Sequence, residues 1–120
     1  MGTVSYVFDV GDDTVWSPSL QVGDLYVRFL CEIAETLGVR TGLTAIASDM
    51  YEIDIDVFAN LVRKLFDVYF SSGHPVLRGL IEGVLAPSVV VLERGGRPLT
   101  PSSDEEREFI ERARGLSMAR

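Results

Sequence analysis

Residues 6–19 read YVFDVGDDTVWSPS, and this stretch decides how the fold begins. Tyr6, Phe8 and Val10 alternate with other residues, which is typical of a half-buried strand. The turn sequence Gly11-Asp12-Asp13 follows and leads into a second short strand at residues 14–16. The stretch therefore predicts an N-terminal β-hairpin.

Three main helices are predicted after the hairpin. Ser17-Pro18-Ser19 is a helix start in which either serine could cap the free backbone N–H groups. Apolar residues then recur at helical spacing from residue 20 to residue 37, and Gly38 follows as the terminating residue. The second helix begins at Asp54 or Ile55, with Asp54 as its N-cap, and runs to about residue 70.

The third predicted helix runs from Pro75 toward Leu92 and is apolar almost all round. Such a helix is central, or it buries a second face in an oligomer. Pro87 should kink or break it because proline removes a backbone donor, which would leave residues 88–92 as either helix or strand. The residues expected near the domain centre are Val76, Leu77, Leu80, Ile81, Val84 and Leu85.

Two segments lack a strong helical period. Residues 39–53 are interpreted as a long, partly ordered connection and, because long connections are often functional, as the first place to look for a site. Residues 97–101 form a proline-containing linker, after which a capping box from Ser103 to Glu106 starts a short helix expected to dock weakly. The fold class is α+β, with residues 1–99 as one compact domain and residues 100–120 as linker and C-terminal helix.

The charge balance excludes some partners. Eighteen acidic residues oppose eleven Lys and Arg, for a net charge of −7, which disfavours nucleic-acid binding. The sequence contains no window of eighteen uncharged apolar residues that would predict a membrane span. The start Met1-Gly2-Thr3-Val4 lacks the features of a secretion signal, and Cys31 has no internal disulfide partner. We therefore expect a cytoplasmic protein.

Several short motifs carry a family resemblance over roughly the first ninety-five residues. They are Val10-Gly11-Asp12, Val15-Trp16-Ser17-Pro18, Val22-Gly23, Gly42 and Glu52-Ile53-Asp54. This pattern resembles a family of small, functionally uncharacterised actinobacterial proteins, in which Asn and Pro usually stand where this chain has Ser17 and Ile55. The resemblance implies a bacterial cytoplasmic protein, but it transfers no activity, cofactor or catalytic residue.

Four residues are candidates for acid–base chemistry. Asp49 and Glu52 precede the second helix in an acidic cluster that also contains Asp54, and extended spacing would place carboxylates on one face. Asp54 is better explained as a helix cap. Asp9 would be a buried carboxylate with a raised pKa if both faces of the hairpin are covered, and otherwise it is solvated. His74 is the sole histidine and a base by residue type.

Aromatic residues could line an apolar ligand pocket. The candidates are Trp16, Phe29, Phe58 and Phe66, although aromatics at this spacing more often form a core. The sequence contains no phosphate loop and no catalytic serine motif, and its acidic cluster lacks the register of a calcium loop. It predicts no metal and no cofactor.

Two functions remain open from sequence. The first is a non-catalytic accessory or interaction protein of inhibitor or immunity type, which the acidic surface and the unusually apolar third helix motivate. The excess apolar surface of that helix also predicts a homodimer and a possible protein partner. The alternative is a small cofactor-independent biosynthetic enzyme, an isomerase, cyclase or lyase. It would use one of the candidate acids in an apolar pocket.

Overall fold

The computed structural model describes residues 5–120, so the first four residues, where a leader was considered, lie outside it. The fold is α+β, as predicted, with an N-terminal hairpin, three main helices and a short C-terminal helix. The elements in chain order are β1 (Val7–Val10), β2 (Asp13–Trp16), α1 (Leu20–Leu37), β3 (Leu43–Ala47), β4 (Met50–Ile53), α2 (Ile55–Ser71), α3 (Pro75–Arg94) and α4 (Asp104–Arg114).

The hairpin is half of a four-stranded sheet with the order β2-β1-β4-β3. Strand β1 pairs with β2 antiparallel and with β4 parallel, and β3 pairs with β4 antiparallel. Phe8 lies at the centre of the sheet and is fully buried. Its ring stacks on Trp16 at a centroid distance of 5.3 Å and on Tyr51 at 6.0 Å.

The prediction of a partly ordered connection over residues 39–53 is wrong, because this segment forms the hairpin β3–β4. Strand β3 is exposed from Thr44 to Ala47 and therefore shows no apolar alternation. Gly42 starts the hairpin with a φ of 78°, and a Cβ there would lie 2.8 Å from the carbonyl oxygen of Asp54. Glycine is thus required both for the backbone conformation and for the close approach to α2.

The predicted helix ends of α1 are confirmed. Ser19 is the N-cap, since its Oγ accepts a hydrogen bond from Val22 N at 3.3 Å. Gly38 ends the helix with a φ of 71°, in the left-handed region where glycine carries no Cβ penalty.

Helix α3 corrects two predictions. It is not broken at Pro87 but continuous, and Ser88–Leu92, which the sequence left open as helix or strand, are helical and buried. The carbonyl that loses its donor belongs to Gly83, which lies on the exposed side of the helix where water can bind the free oxygen.

Burial along α3 differs between its two halves, and only the second half meets the expectation of a helix that is buried all round. Ile81, Val84 and Leu85 are in the core as predicted. The first half of the helix is different, with exposed fractions of 64% for Val76, 40% for Leu77 and 67% for Leu80. The placement of these three residues at the domain centre is therefore wrong.

Helix α4 packs firmly against α3, so the expectation of weak docking is wrong. Phe109, Ile110 and Ala113 are buried, as is Met118 beyond the helix. Ser103 caps α4 as predicted, but the Glu106 carboxylate accepts from Ser102 rather than from the Ser103 amide. The domain boundary at residue 99 stays a prediction.

Among the described residues, α3 is also long and apolar enough to span a membrane by length and composition. A core helix of a soluble protein has the same properties, so this is weak evidence for a membrane span.

Candidate interaction groove

A groove of about 570 Å³ runs between α1 and α3. Trp16, which is buried, and residues that follow α4 also line it. Its lining is mainly apolar and consists of Trp16, Val22, Leu25, Tyr26, Phe29, Gly79, Leu80, Gly83, Val84, Pro87, Leu116, Ser117 and Met118.

Two buried hydroxyl groups beneath the groove are already hydrogen-bonded within the chain. The Tyr26 hydroxyl lies 2.6 Å from Ser88 Oγ, and the Ser88 hydroxyl donates to the Val84 carbonyl at 2.6 Å. Burial raises the pKa of Tyr26 well above the ordinary tyrosine value. A neutral, hydrogen-bonded phenol is therefore a structural group here and is not poised for proton transfer.

The rim of the groove carries large exposed apolar side chains. We call these the apolar face, and it comprises Val22, Leu25 and Phe29 on α1, Leu80 on α3, and Leu116 near the C-terminus. Val76 and Leu77, in the first turn of α3, are also exposed but do not line the groove. The α1 members follow helical spacing, and Phe29 is 58% exposed. A cluster of large exposed apolar side chains marks a binding site more often than single, scattered ones do.

Two glycines of α3, Gly79 and Gly83, line the groove and have no side chain to fill it. We call them the glycine wall. A Cβ placed on Gly79 or Gly83 would meet no other atom within 4 Å. Packing within the chain therefore does not require glycine at either position. The space beside both residues is open to an incoming side chain.

The four predicted acid–base residues do not line this groove. Asp9 accepts a hydrogen bond from Thr14 Oγ1 at 2.6 Å, and Glu52 is its partner in the β1–β4 register. Asp49 lies in the β3–β4 turn, where its carbonyl accepts from Val7 N at 2.9 Å. The structure thus brings Asp9 and Glu52 side by side on the sheet.

His74 is remote from those carboxylates. It is the N-cap of α3, where its Nδ1 accepts from the Leu77 amide at 3.4 Å. The other end of α3 reaches β2, since Arg94 Nη1 donates to the Val15 carbonyl at 2.9 Å. A helix of 20 residues spans about 30 Å, so His74 and Asp9 do not share a site. Within residues 5–120, no group of three His, Cys, Asp or Glu side chains is arranged to hold a metal ion.

The structure separates the four aromatic pocket candidates. Trp16 and Phe29 line the groove. Phe58 and Phe66 are buried on α2 instead, and Phe66 packs on Phe70 at a centroid distance of 4.7 Å. Sequence reasoning did not identify the glycine wall, although the excess of apolar residues in α3 pointed to a second contact face.

Comparison with known families gives the chain its place. A model of the family of unknown function DUF6086 matches residues 4–120, so the chain belongs to that family. The match includes the C-terminal helix, which corrects the expectation that the resemblance ends near residue 95. No curated protein and no solved structure matches the chain.

Proposed function

We propose that this protein is a non-catalytic interaction protein of the accessory, inhibitor or immunity type, and that it associates with a second copy through the apolar face. The observation that carries the proposal is the set of large exposed side chains around a groove lined mainly by apolar atoms. A cytoplasmic location belongs to the same proposal and is supported by the single cysteine, which forms no internal disulfide.

The groove and the apolar face around it offer both projecting side chains and open space, which favours a second copy as the occupant. A two-fold interface uses the same surface on both protomers, so that surface must contain both a projecting and a receiving part. Phe29 and Leu80 project, and the open space beside Gly79 and Gly83 receives. In the proposed dimer, Phe29 of each protomer packs over the glycine wall of the other.

The apolar face is a candidate for the central part of such an interface. The largest apolar patch on a typical monomer covers about 300–600 Å² and is often functional. A specific interface buries about 800 Å² per partner. The polar rim of α1, including the Arg28–Asp24 ion pair, supplies the remaining contact area.

The enzymatic alternative receives less support from the geometry. It needs a carboxylate or histidine facing into the apolar cavity. None of Asp9, Asp49, Glu52 and His74 is among the groove residues.

The experiment that tests this proposal is light scattering on purified protein at high micromolar concentration. We expect twice the chain mass of 13.2 kDa. Gly83→Leu should return the mass to that of a monomer, because the leucine fills the receiving space. Since a Cβ meets nothing at Gly83 within the chain, the variant should keep or raise the melting temperature.

Phe29→Glu should give the same monomer from the projecting side. The matched control is Ile46→Glu, which places a charge on an equally exposed apolar residue, 56% accessible, in β3 and outside the groove. A wild-type protein that stays monomeric would overturn the proposal. So would a dimer that survives both groove substitutions.

A further inference from the structure

We propose that the edge strand β3 binds an extended segment of another protein by strand addition. The segment has apolar, β-branched residues at alternate positions and lysine or arginine at the end that lies beside Asp49. The two edges of the sheet, the backbone of β3 and the charges around it carry this inference.

The two edges of the sheet differ in whether groups outside the sheet bind their backbone. At the β2 edge, Arg94 Nη1 donates to the Val15 carbonyl at 2.9 Å, and the Ser17 amide next to the strand donates to Ala119 O at 2.7 Å. At the β3 edge, no hydrogen bond from outside the sheet reaches the backbone of residues 44–47 within the described part of the chain. One edge is closed by the protein itself and the other is open.

Strand β3 also lacks most of the devices that keep an edge from pairing. Natural edges carry charges, proline or a covering element, or they twist away at a bulge. The sequence Leu43–Ala47 has no charge and no proline, and residues 44–47 are all exposed. Only the irregular pairing between Ala45 and Ala47 interrupts it. Open backbone groups beside small and β-branched side chains are what strand addition uses.

The surrounding charges define the partner. Asp49 lies in the turn after β3, and Glu52 lies opposite Thr44 on β4. Neither carboxylate forms an ion pair with any described residue. Arg40 precedes the other end of the strand and lines a depression with Asp54, so basic and acidic charges lie at opposite ends of β3. The charge at the Asp49 end of the edge is negative.

An incoming antiparallel strand starts at the Asp49 end of β3, so its basic residues belong at its N-terminal end. The β3 strand of a second copy fits less well, because its sequence Leu43–Ala47 has no lysine or arginine to place beside Asp49. A cationic segment of a different protein has the complementary charge.

The test uses a labelled, acetylated probe peptide, Lys-Lys-Val-Thr-Val-Thr-Val, and fluorescence anisotropy with the full chain. We expect saturable binding and hydrogen-exchange protection of residues 44–47. A peptide of the same sequence with N-methyl groups on alternate amides should bind at least about tenfold more weakly, because methylation removes backbone donors while the side chains are kept. A peptide with glutamates in place of the lysines should also lose binding.

Variants of the protein complete the experiment. Ile46→Lys should block the edge, and Asp49→Asn should weaken binding about three- to tenfold at low salt, with less effect at high salt. Phe29→Glu is the matched control, and it should leave peptide binding unchanged whether or not the groove mediates self-association. No binding of the lysine peptide, equal binding of the N-methylated peptide, or sensitivity to Phe29→Glu would each overturn the inference. So would an assembly of the free protein, larger than a dimer, that Ile46→Lys dissolves, because the occupant would then be a second copy.

Discussion

The hydroxyl oxygen of Tyr26 lies 2.6 Å from Oγ of Ser88, and this buried contact joins α1 to α3 across 62 residues of sequence. The Ser88 hydroxyl proton is directed to the Val84 carbonyl, so the phenol is the donor and Ser88 Oγ is its acceptor. This pair fixes the relative placement of the two helices beneath the groove. Any change in it should alter both stability and the shape of the groove floor.

The direction of these hydrogen bonds predicts unequal effects for the two partners. Ser88→Ala leaves the Tyr26 O–H buried without an acceptor and should cost about 1–3 kcal/mol. Tyr26→Phe removes the donor but leaves the Ser88 proton satisfied, so it should cost less, about 0.5–1.5 kcal/mol. Urea unfolding of the two single variants and the double variant measures this. A double variant less stable than the sum of the singles would contradict the assignment.

Alkaline pH should destabilise the protein through the same tyrosine. Burial raises the pKa of Tyr26 above the ordinary value of 10.0, so the folded chain keeps a proton that the unfolded chain releases. Stability should therefore be constant through neutral pH and fall above about pH 10, by up to about 1.4 kcal/mol per pH unit for one proton.

Tyr26→Phe is the control for this alkaline decline. The variant should lose stability less steeply above pH 10, while retaining part of the slope because burial also raises the pKa of Tyr6 and of Tyr69. Urea midpoints measured across the alkaline range decide the matter. Parallel curves for wild type and variant would refute a role for Tyr26.

Two leucines on α3 should respond oppositely to the same substitution. Leu80 is 67% exposed and Leu85 is fully buried. Leu85→Asp should unfold the protein, because an unpaired carboxylate in the core costs more than about 3 kcal/mol. Leu80→Asp should change the free energy of unfolding of the monomer by no more than about 0.5 kcal/mol, so its melting temperature should be nearly unchanged. Thermal unfolding at low concentration compares them, and a collapse of the Leu80 variant would place that residue in the core after all.

Local signals in the sequence predicted local structure well. Asp54 accepts hydrogen bonds from the Asp56 and Val57 amides at 3.2 and 3.3 Å, as expected of an N-cap. Gly38 ends α1 where it should. These features depend on a few neighbouring residues, and their physical requirements are met within one turn of helix.

Features that depend on distant partners could not be predicted in the same way. Strand β4 pairs in parallel with β1, about forty residues earlier, and neither strand's sequence specifies that partner. The exposure of Leu80 depends on the gap between α1 and α3. The apolar sequence of α3 alone does not show whether another element packs against a given residue. The groove is therefore a product of tertiary packing, although the apolar excess of α3 signalled that such a surface exists.

Two glycines in helices should also respond oppositely to alanine. A methyl group on Gly23 of α1 would overlap the ring of Tyr6, which is itself buried in the core. Gly83 of α3 has open space around the same position. Gly23→Ala should therefore cost about 1–3 kcal/mol through overpacking, despite the better helix propensity of alanine. Gly83→Ala should stabilise the monomer by about 0.5–1 kcal/mol, since it reduces the conformational entropy that glycine loses on folding without creating a contact.

Urea unfolding under conditions that keep both variants monomeric separates these effects from association. If both variants were stabilised equally, α1 would not approach Tyr6 as closely as the structure has it, and the helix would be free to move away from the sheet at that point.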